Sequence, residues 1–267
     1  MDSRYASLFI SHGAPTLPLE NSPARKFLET LGRELPRPKA IVALSPHWLT
    51  GGIEVKSPSR FDTWHDFGGF PDELYRIRYE PAGDPALALR VLALLREGGF
   101  DAQPSADTKL DHGVWVPLML MYPQADIPVV QVSAIGDTPA RYRELGHALR
   151  SLAREGVLIL GSGGLVHNLG EVEFGSQTVP GWARFFDDWT DARLAENDWD
   201  TLCDYRRRAP DAARAHPTED HFLPLFFASG AGAAAVSLHR SFSHGSLSMA
   251  AYGFNLAMNF AFAKPAG

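Results

Sequence analysis

Three of the ten histidines in this sequence follow one local grammar: an apolar run, small residues, then the imidazole. His12 comes after the run at 7–10, in Ser11-His12-Gly13-Ala14-Pro15, and His47 after the run at 40–44, in Ser45-Pro46-His47-Trp48. His167 lies beyond the run at 157–160 and the segment Gly161-Ser162-Gly163-Gly164. A fourth, His221, opens an apolar stretch in Glu219-Asp220-His221-Phe222-Leu223-Pro224, and a fifth, His112, stands between Asp111 and Gly113. A neutral imidazole has one N–H and one lone pair, so it can bind a divalent cation or carry a proton near neutral pH. A single histidine is more often a hydrogen-bonded structural residue. Three at successive strand ends need that coincidence three times, and the residues alone point to a metal or acid–base site gathered from distant parts of the chain. No HExxH pair, EF-hand loop, CxxC pair or phosphate-binding glycine motif competes with it.

His65 is of another kind. It lies in Trp64-His65-Asp66-Phe67-Gly68-Gly69-Phe70-Pro71, an aromatic and glycine-rich loop suited to covering a flat ligand, or equally to packing as a surface turn. His147 falls mid-helix among charges and reads as solvated, while His216, His239 and His244 read as structural.

The elements that must position these side chains alternate. Runs at 7–10, 40–44, 127–132, 157–160, 234–239 and 246–252 predict strands, and those that are apolar throughout predict strands buried on both faces. Residues 22–35 predict a helix with Ser22 as N-cap and Pro23 at its first position. Further helices are predicted at 84–98, 139–154, 182–197 and 219–229, and residues 57–84 predict a long loop over the sheet. The fold class is α/β: one domain over residues 1–267, with a mostly parallel or mixed central sheet and helices on both faces. In such sheets ligands bind at the carboxyl ends of the strands, where His12, His47 and His167 fall.

The bulk numbers narrow the function further. Hydrophobic residues make up 45% and charged residues 21%, enough apolar side chain for a sizeable core. The net charge of −6 comes without a basic block, which argues against a nucleic-acid partner. Cys203 is the only cysteine, so neither an internal disulfide nor a thiolate zinc site can form. The N-terminus lacks the apolar core of a signal peptide, and the longest apolar stretch, at 114–122, is too short for a bilayer. The expectation is a cytoplasmic protein without a membrane partner; a homo-oligomer is left open.

At these residues the sequence resembles the 4,5-DOPA dioxygenase extradiol family, within the class III (LigB-like) ring-cleaving dioxygenases. The matching segments are the turn at His12, Ser45-Pro46-His47-Trp48, the loop from His65, and Asp111-His112-Gly113-Val114-Trp115. Val166-His167-Asn168-Leu169, the segment at His221 and Gly245-Ser246-Leu247-Ser248-Met249 complete the series over nearly the whole chain. The resemblance implies one divalent metal ion per chain, Fe(2+) for activity with Zn(2+) able to occupy the same site. It implies metal ligands His12, His47 and His221, with His167 at the metal or the substrate. His167 is then the expected base, and His112 a donor of a proton or hydrogen bond. His65 and Trp48 are expected at the substrate, a DOPA-like catechol that reacts with O2. The broader class uses two histidines and a glutamate, which makes Glu219 a second candidate for the third ligand. Ala14 replaces a common serine, and the tail at 254–267 extends past the family's usual end. Two rival readings of the same histidines are a zinc-dependent hydrolase and a non-catalytic metal-binding module.

Overall fold

A computed structural model describes residues 7–255. The first half runs β1 (Ser7–Ser11), α1 (Pro23–Glu34), β2 (Ala40–Thr50), β3 (Ile53–Lys56), β4 (Asp62–Thr63), α2 (Pro85–Glu97), β5 (Ala102–Ser105), β6 (Lys109–Leu110) and α3 (His112–Met121). It continues through β7 (Val129–Ile135), α4 (Pro139–Arg154), β8 (Val157–Gly163) and α5 (Gly181–Ala195). Short helices α6 (Trp199–Cys203), α7 (Tyr205–Arg208) and α8 (Ala212–Ala215) lead to α9 (Leu223–Ala231). The last described strands are β9 (Ala235–His239), β10 (Phe242–Ser243), β11 (Leu247–Ser248) and β12 (Ala251–Phe254).

Eight strands form one mixed sheet in the order β5-β3-β7-β2-β8-β1-β12-β9. The centre, β7-β2-β8-β1, is parallel. Antiparallel pairs bring in β3 on one side and β12 with β9 on the other. Because strand side chains alternate, the apolar central strands serve two cores. Leu8, Ile10, Ile41, Ala43, Leu158 and Leu160 pack with α1 and α3, whereas Phe9, Val42, Leu44, Val157 and Ile159 pack with α2, α4, α5 and α9. The expected helices on both faces are therefore present.

Local chemistry explains where several helices begin. Ser22, Asp84 and Thr138 each accept a backbone N–H from the first turn, and each is followed by a proline whose missing N–H has no partner to lose. Where the structure departs from the sequence reading, packing decides. Residues 219–222 form a turn, and the helix expected at 219–229 is α9, shifted toward the C-terminus. The strand expected at 127–132 is β7, which runs on to Ile135, and the run at 246–252 divides into β11 and β12. Helix α3 was not anticipated: all its residues but Met119 are buried, so it shows no polar face. The tail beyond Asn255 lies outside the described residues. Among the described residues, no helix is long and apolar enough to cross a membrane.

Two departures bear on the histidines. Strand β2 does not stop at Leu44: its pairing with β7 steps from Ser45↔Ser133 to Leu49↔Ala134, so Pro46, His47 and Trp48 bulge out of the ladder. Pro46 has no N–H for a ladder, and the bulge re-aims His47. Likewise Gly161 and Gly163 are not a flexible turn after a strand; they are the end of β8. A Cβ on Gly161 would lie 2.1 Å from the Pro224 carbonyl oxygen, and one on Gly163 2.2 Å from that of His221. Only glycine lets β8 and the start of α9 approach this closely. Gly161→Ala is therefore expected to destabilise the protein by about 1–3 kcal/mol through overpacking. Urea unfolding would show it as a lower midpoint at unchanged slope, and an unchanged midpoint would contradict the close approach.

Candidate metal centre

His12, His47 and His221 meet at the carboxyl edge of the parallel strands. His12 follows β1, and its backbone N–H donates to the Gly163 carbonyl (3.0 Å), extending the β1–β8 ladder by one residue. Gly13 then turns the chain with φ +66°, a conformation that favours glycine. His47 rides on the β2 bulge. His221 sits in the turn before α9, fixed by its own carbonyl, which accepts the Gly164 N–H (2.8 Å). The Nε2 atom of His47 lies 3.1 Å from that of His12 and 3.2 Å from that of His221.

For His12 and His221 the opposite nitrogen has a hydrogen-bond partner that sets the tautomer. His221 Nδ1 donates to Asp220 Oδ2 (2.6 Å). His12 Nδ1 lies 3.0 Å from Ser162 Oγ, whose hydroxyl proton is donated to the Gly113 carbonyl, so the serine oxygen must accept from His12. His47 Nδ1 faces Asp66 Oδ2 at 3.4 Å. With protons on all three Nδ1 atoms, three Nε2 lone pairs point at one another, an arrangement that a cation relieves. Nitrogens bound about 2.1 Å from one ion lie about 3.0 Å apart at right angles and about 3.4 Å apart at tetrahedral angles, which brackets the spacing here. The residues fit a divalent metal.

The electrostatics agree with neutral imidazoles. Burial, then the neighbouring histidines, hold His12 and His221 well below the ordinary histidine range. Burial and His112 push His47 down to about 4. Metal ligation requires unprotonated rings, so no proton has to be displaced near neutral pH.

His112 is the first residue of α3 and belongs to the same cluster, its ring 4.0 Å from that of His47 and 5.4 Å from that of His12. Asp66 Oδ1 accepts both its backbone N–H (3.0 Å) and its Nδ1–H (2.9 Å). Burial would raise the Asp66 carboxyl, but hydrogen bonds from His112 and the charges of His112 and His47 hold it below the usual carboxylate range. The atoms of His47, Asp66 and His112 lie close enough to form a second metal-ligand set, yet Asp66 and His112 are already hydrogen-bonded to each other. His167 reaches the cluster differently. Its ring lies flat on His221, 3.5 Å between centroids and 5° from parallel, and joins no set of converging ligand atoms. Burial pushes it to about 4, with Asp220 opposing, so it too is neutral.

The other expected residues lie farther out. The His65 ring packs on Phe67, Tyr75 and Trp115, with Nε2 enclosed and unpartnered. Phe67 of the same loop abuts His112 edge-on at 5.5 Å, so the loop does cover the cluster. The Trp48 ring carries the buried Lys56 ammonium at 3.9 Å and makes no ring contact with the histidines. Glu219 accepts from the Tyr205 hydroxyl (3.0 Å) and pairs with Arg206, and it is absent from the converging set. Sequence reading missed Asp66, Asp220 and Ser162. Asp220 adjoins His221, and a carboxylate beside a candidate ligand histidine is a sign that could have found it; Asp66 adjoins only His65 and carried no such sign.

The model for the catalytic LigB subunit of aromatic ring-opening dioxygenase matches residues 6–255. A curated 4,5-DOPA dioxygenase extradiol from Beta vulgaris is 40% identical over 95% of this chain and 97% of its own length. The Escherichia coli K12 protein of the same description is 38% identical over 86% of each chain. A crystal structure of the uncharacterized Escherichia coli K12 protein JW3007 superposes with a TM-score of 0.78 and 31% identity, covering 94% of this chain and 100% of that one.

Three opposed lone pairs make the metal-free site a source of instability. Zn(II) at a hundredfold excess over its Kd should stabilise the fold by about 2.7 kcal/mol. For a chain of this size that corresponds to a rise of about 5–10 °C in Tm. A chelator should reverse the shift, and a melting curve indifferent to both would contradict the convergence.

Proposed function

This chain belongs to the family of the catalytic LigB subunit of aromatic ring-opening dioxygenases and is a metal-dependent dioxygenase of the extradiol type; we propose that His12, His47 and His221 hold its metal through Nε2. The observation that carries the assignment is the convergence of three ring nitrogens, with His47 Nε2 3.1 and 3.2 Å from those of His12 and His221, and an acceptor or carboxylate facing each Nδ1. The working metal is Fe(II). When bound, it supplies Lewis acidity toward the two catechol oxygens and a redox couple open to O2, which zinc lacks. The hydrolase and non-catalytic readings of the histidines are not favoured by the family.

The substrate is a DOPA-like catechol, a reading supported by the names of the relatives, and its ring opens beside the pair of hydroxyl-bearing carbons. His167 is the base. Stacked on His221 and neutral, it can take a phenolic proton on a ring nitrogen without giving up a metal bond. His112 serves the oxygen side. Asp66 occupies its Nδ1, which leaves Nε2 for a hydrogen bond or proton to the reacting oxygens and places a carboxylate behind the imidazolium that forms. Phe67, against His112, limits water at the cluster and offers an edge to the flat ring, with His65 packed behind it. Trp48 lies in the same bulge as His47, with the Lys56 ammonium over its ring.

His47→Ala should lose bound metal and activity together. His167→Ala should keep metal and lose about 10²–10⁴-fold in turnover, the usual worth of a positioned acid or base. Metal analysis beside single-turnover assays separates the two, and equal metal loss in both variants would count against the division of roles. With a catechol panel, O2 uptake should return to the metal-free protein with Fe(II) under anaerobic loading and not with Zn(II). Full turnover by iron-free zinc protein would overturn the assignment of the metal.

A further inference from the structure

Among the described residues, Asp66 is the one carboxylate in contact with two histidines of the cluster. It lies on the loop between β4 and α2, 46 residues before His112 in the chain, and its side chain is 6% exposed. Its two oxygens are not equivalent. Oδ1 is committed to His112, because it accepts the backbone N–H at 3.0 Å as well as Nδ1 at 2.9 Å. The backbone donor cannot change tautomer, so an acceptor is obligatory at that position. Asp66 here replaces the usual helix cap. Asp111 is the N-cap of α3 by position, but its side chain makes no capping bond and its Oδ2 accepts from Gln131 Nε2 (2.5 Å). Only Asp66 Oδ2 remains to face His47 Nδ1, at 3.4 Å.

We propose that Asp66 is a positioning residue that fixes the tautomer of His47, and thereby makes that imidazole present a lone pair to the metal position. The proposal rests on the reading of His47 as a ligand. A carboxylate only accepts, so the His47 proton is drawn to Nδ1 and Nε2 is left bare. His12 and His221 have their own acceptors, Ser162 and Asp220. Among the described residues, Asp66 is the one charged partner in contact with that nitrogen of His47, which is the most exposed of the three rings. The covering loop thus holds a metal ligand through the same side chain that anchors His112.

The asymmetry of the two oxygens gives an unusual expectation. In Asp66→Asn the amide oxygen must occupy the Oδ1 place, because the His112 backbone N–H needs an acceptor there. The NH2 group then faces His47 Nδ1, demands a lone pair from it, and drives the proton to Nε2, where it blocks metal. Asp66→Ala removes the acceptor and imposes nothing. The near-isosteric variant should therefore be worse than the truncation: about tenfold weaker Zn(II) binding for Ala and about a hundredfold for Asn, within the range known for outer-sphere partners of metal-binding histidines. Competition of the purified protein against a chromophoric chelator measures both, with thermal melts to confirm folding. Nitrogen-15 NMR of the metal-free protein should show His47 protonated at Nδ1 in the wild type and at Nε2 in Asp66→Asn. Asparagine binding zinc as well as alanine does, with His47 unchanged, would overturn the proposal. So would an Nε2–H His47 in the metal-free wild type, a measurement that needs no variant to fold. The ligand reading fails separately, if His47→Ala binds zinc as tightly as the wild type.

Discussion

The structure depends on keeping three imidazole lone pairs turned toward one another in a buried place. Left to itself, each ring would rotate or shift its proton so that a donor met an acceptor. What opposes this lies on the far side of every ring: a hydrogen-bond acceptor for His12 (Ser162) and for His221 (Asp220), and the Asp66 carboxylate facing His47 at 3.4 Å. Ser162 is effective only because its own proton is already spent on the Gly113 carbonyl. The proposed metal site is thus specified in part by atoms that would not touch the metal, and the three histidines by themselves would not suffice.

The fold supplies those partners from elements far apart in sequence. The parallel β1–β8 pair fixes His12 against Ser162 across 150 residues. The β2 bulge lifts His47 out of the plane of a strand otherwise buried between two cores. The glycines at the end of β8 let the His221 turn lie directly against the strand that carries Ser162. These rigid mounts hold the ligands, while the residues proposed to move protons sit on softer attachments. His167 is placed by ring stacking on His221, and His112 by a carboxylate from the covering loop. A permanent ligand benefits from a rigid mount, whereas a proton carrier must accommodate two protonation states.

Sequence periodicity and caps made most elements legible: Ser22 and Asp84 mark helix starts that the structure keeps, and the helix at 139–154 matches residue for residue. Their signals are local, which is why they survive without tertiary information. The misread places are those where tertiary contact overrides local preference. Glycine at 161 and 163 signals a turn in isolation, but here it answers to the carbonyls of Pro224 and His221. Pro46 reads as the end of a strand, yet β7 continues beside it and draws β2 onward to Thr50. Helix α3 is buried on all sides and carries Pro117, so neither its period nor its composition announces a helix. In the site, the strand-end grammar brought out His12 and His47 directly. Trp48 shared the same segment but turned to Lys56, since neighbours in a bulge point different ways.

Charge balance gives the orienting carboxylates a second purpose. A divalent ion held only by neutral imidazoles would put two positive charges into a region where His12 and His221 are almost wholly buried, and an uncompensated buried charge is strongly unfavourable. Asp66 and Asp220 stand one imidazole away, each on the Nδ1 side of a proposed ligand, and together carry two negative charges. They offset the ion without occupying positions around it. A carboxylate bound directly to the metal would neutralise part of the charge and occupy a coordination position at once. Carboxylates placed behind the imidazoles would separate those effects, offsetting the charge of a bound ion without taking a position around it. On the proposed roles, a proton passed from a catechol to His167 would stay on the face of His221, so the carboxylates behind the imidazoles would also have that imidazolium to balance.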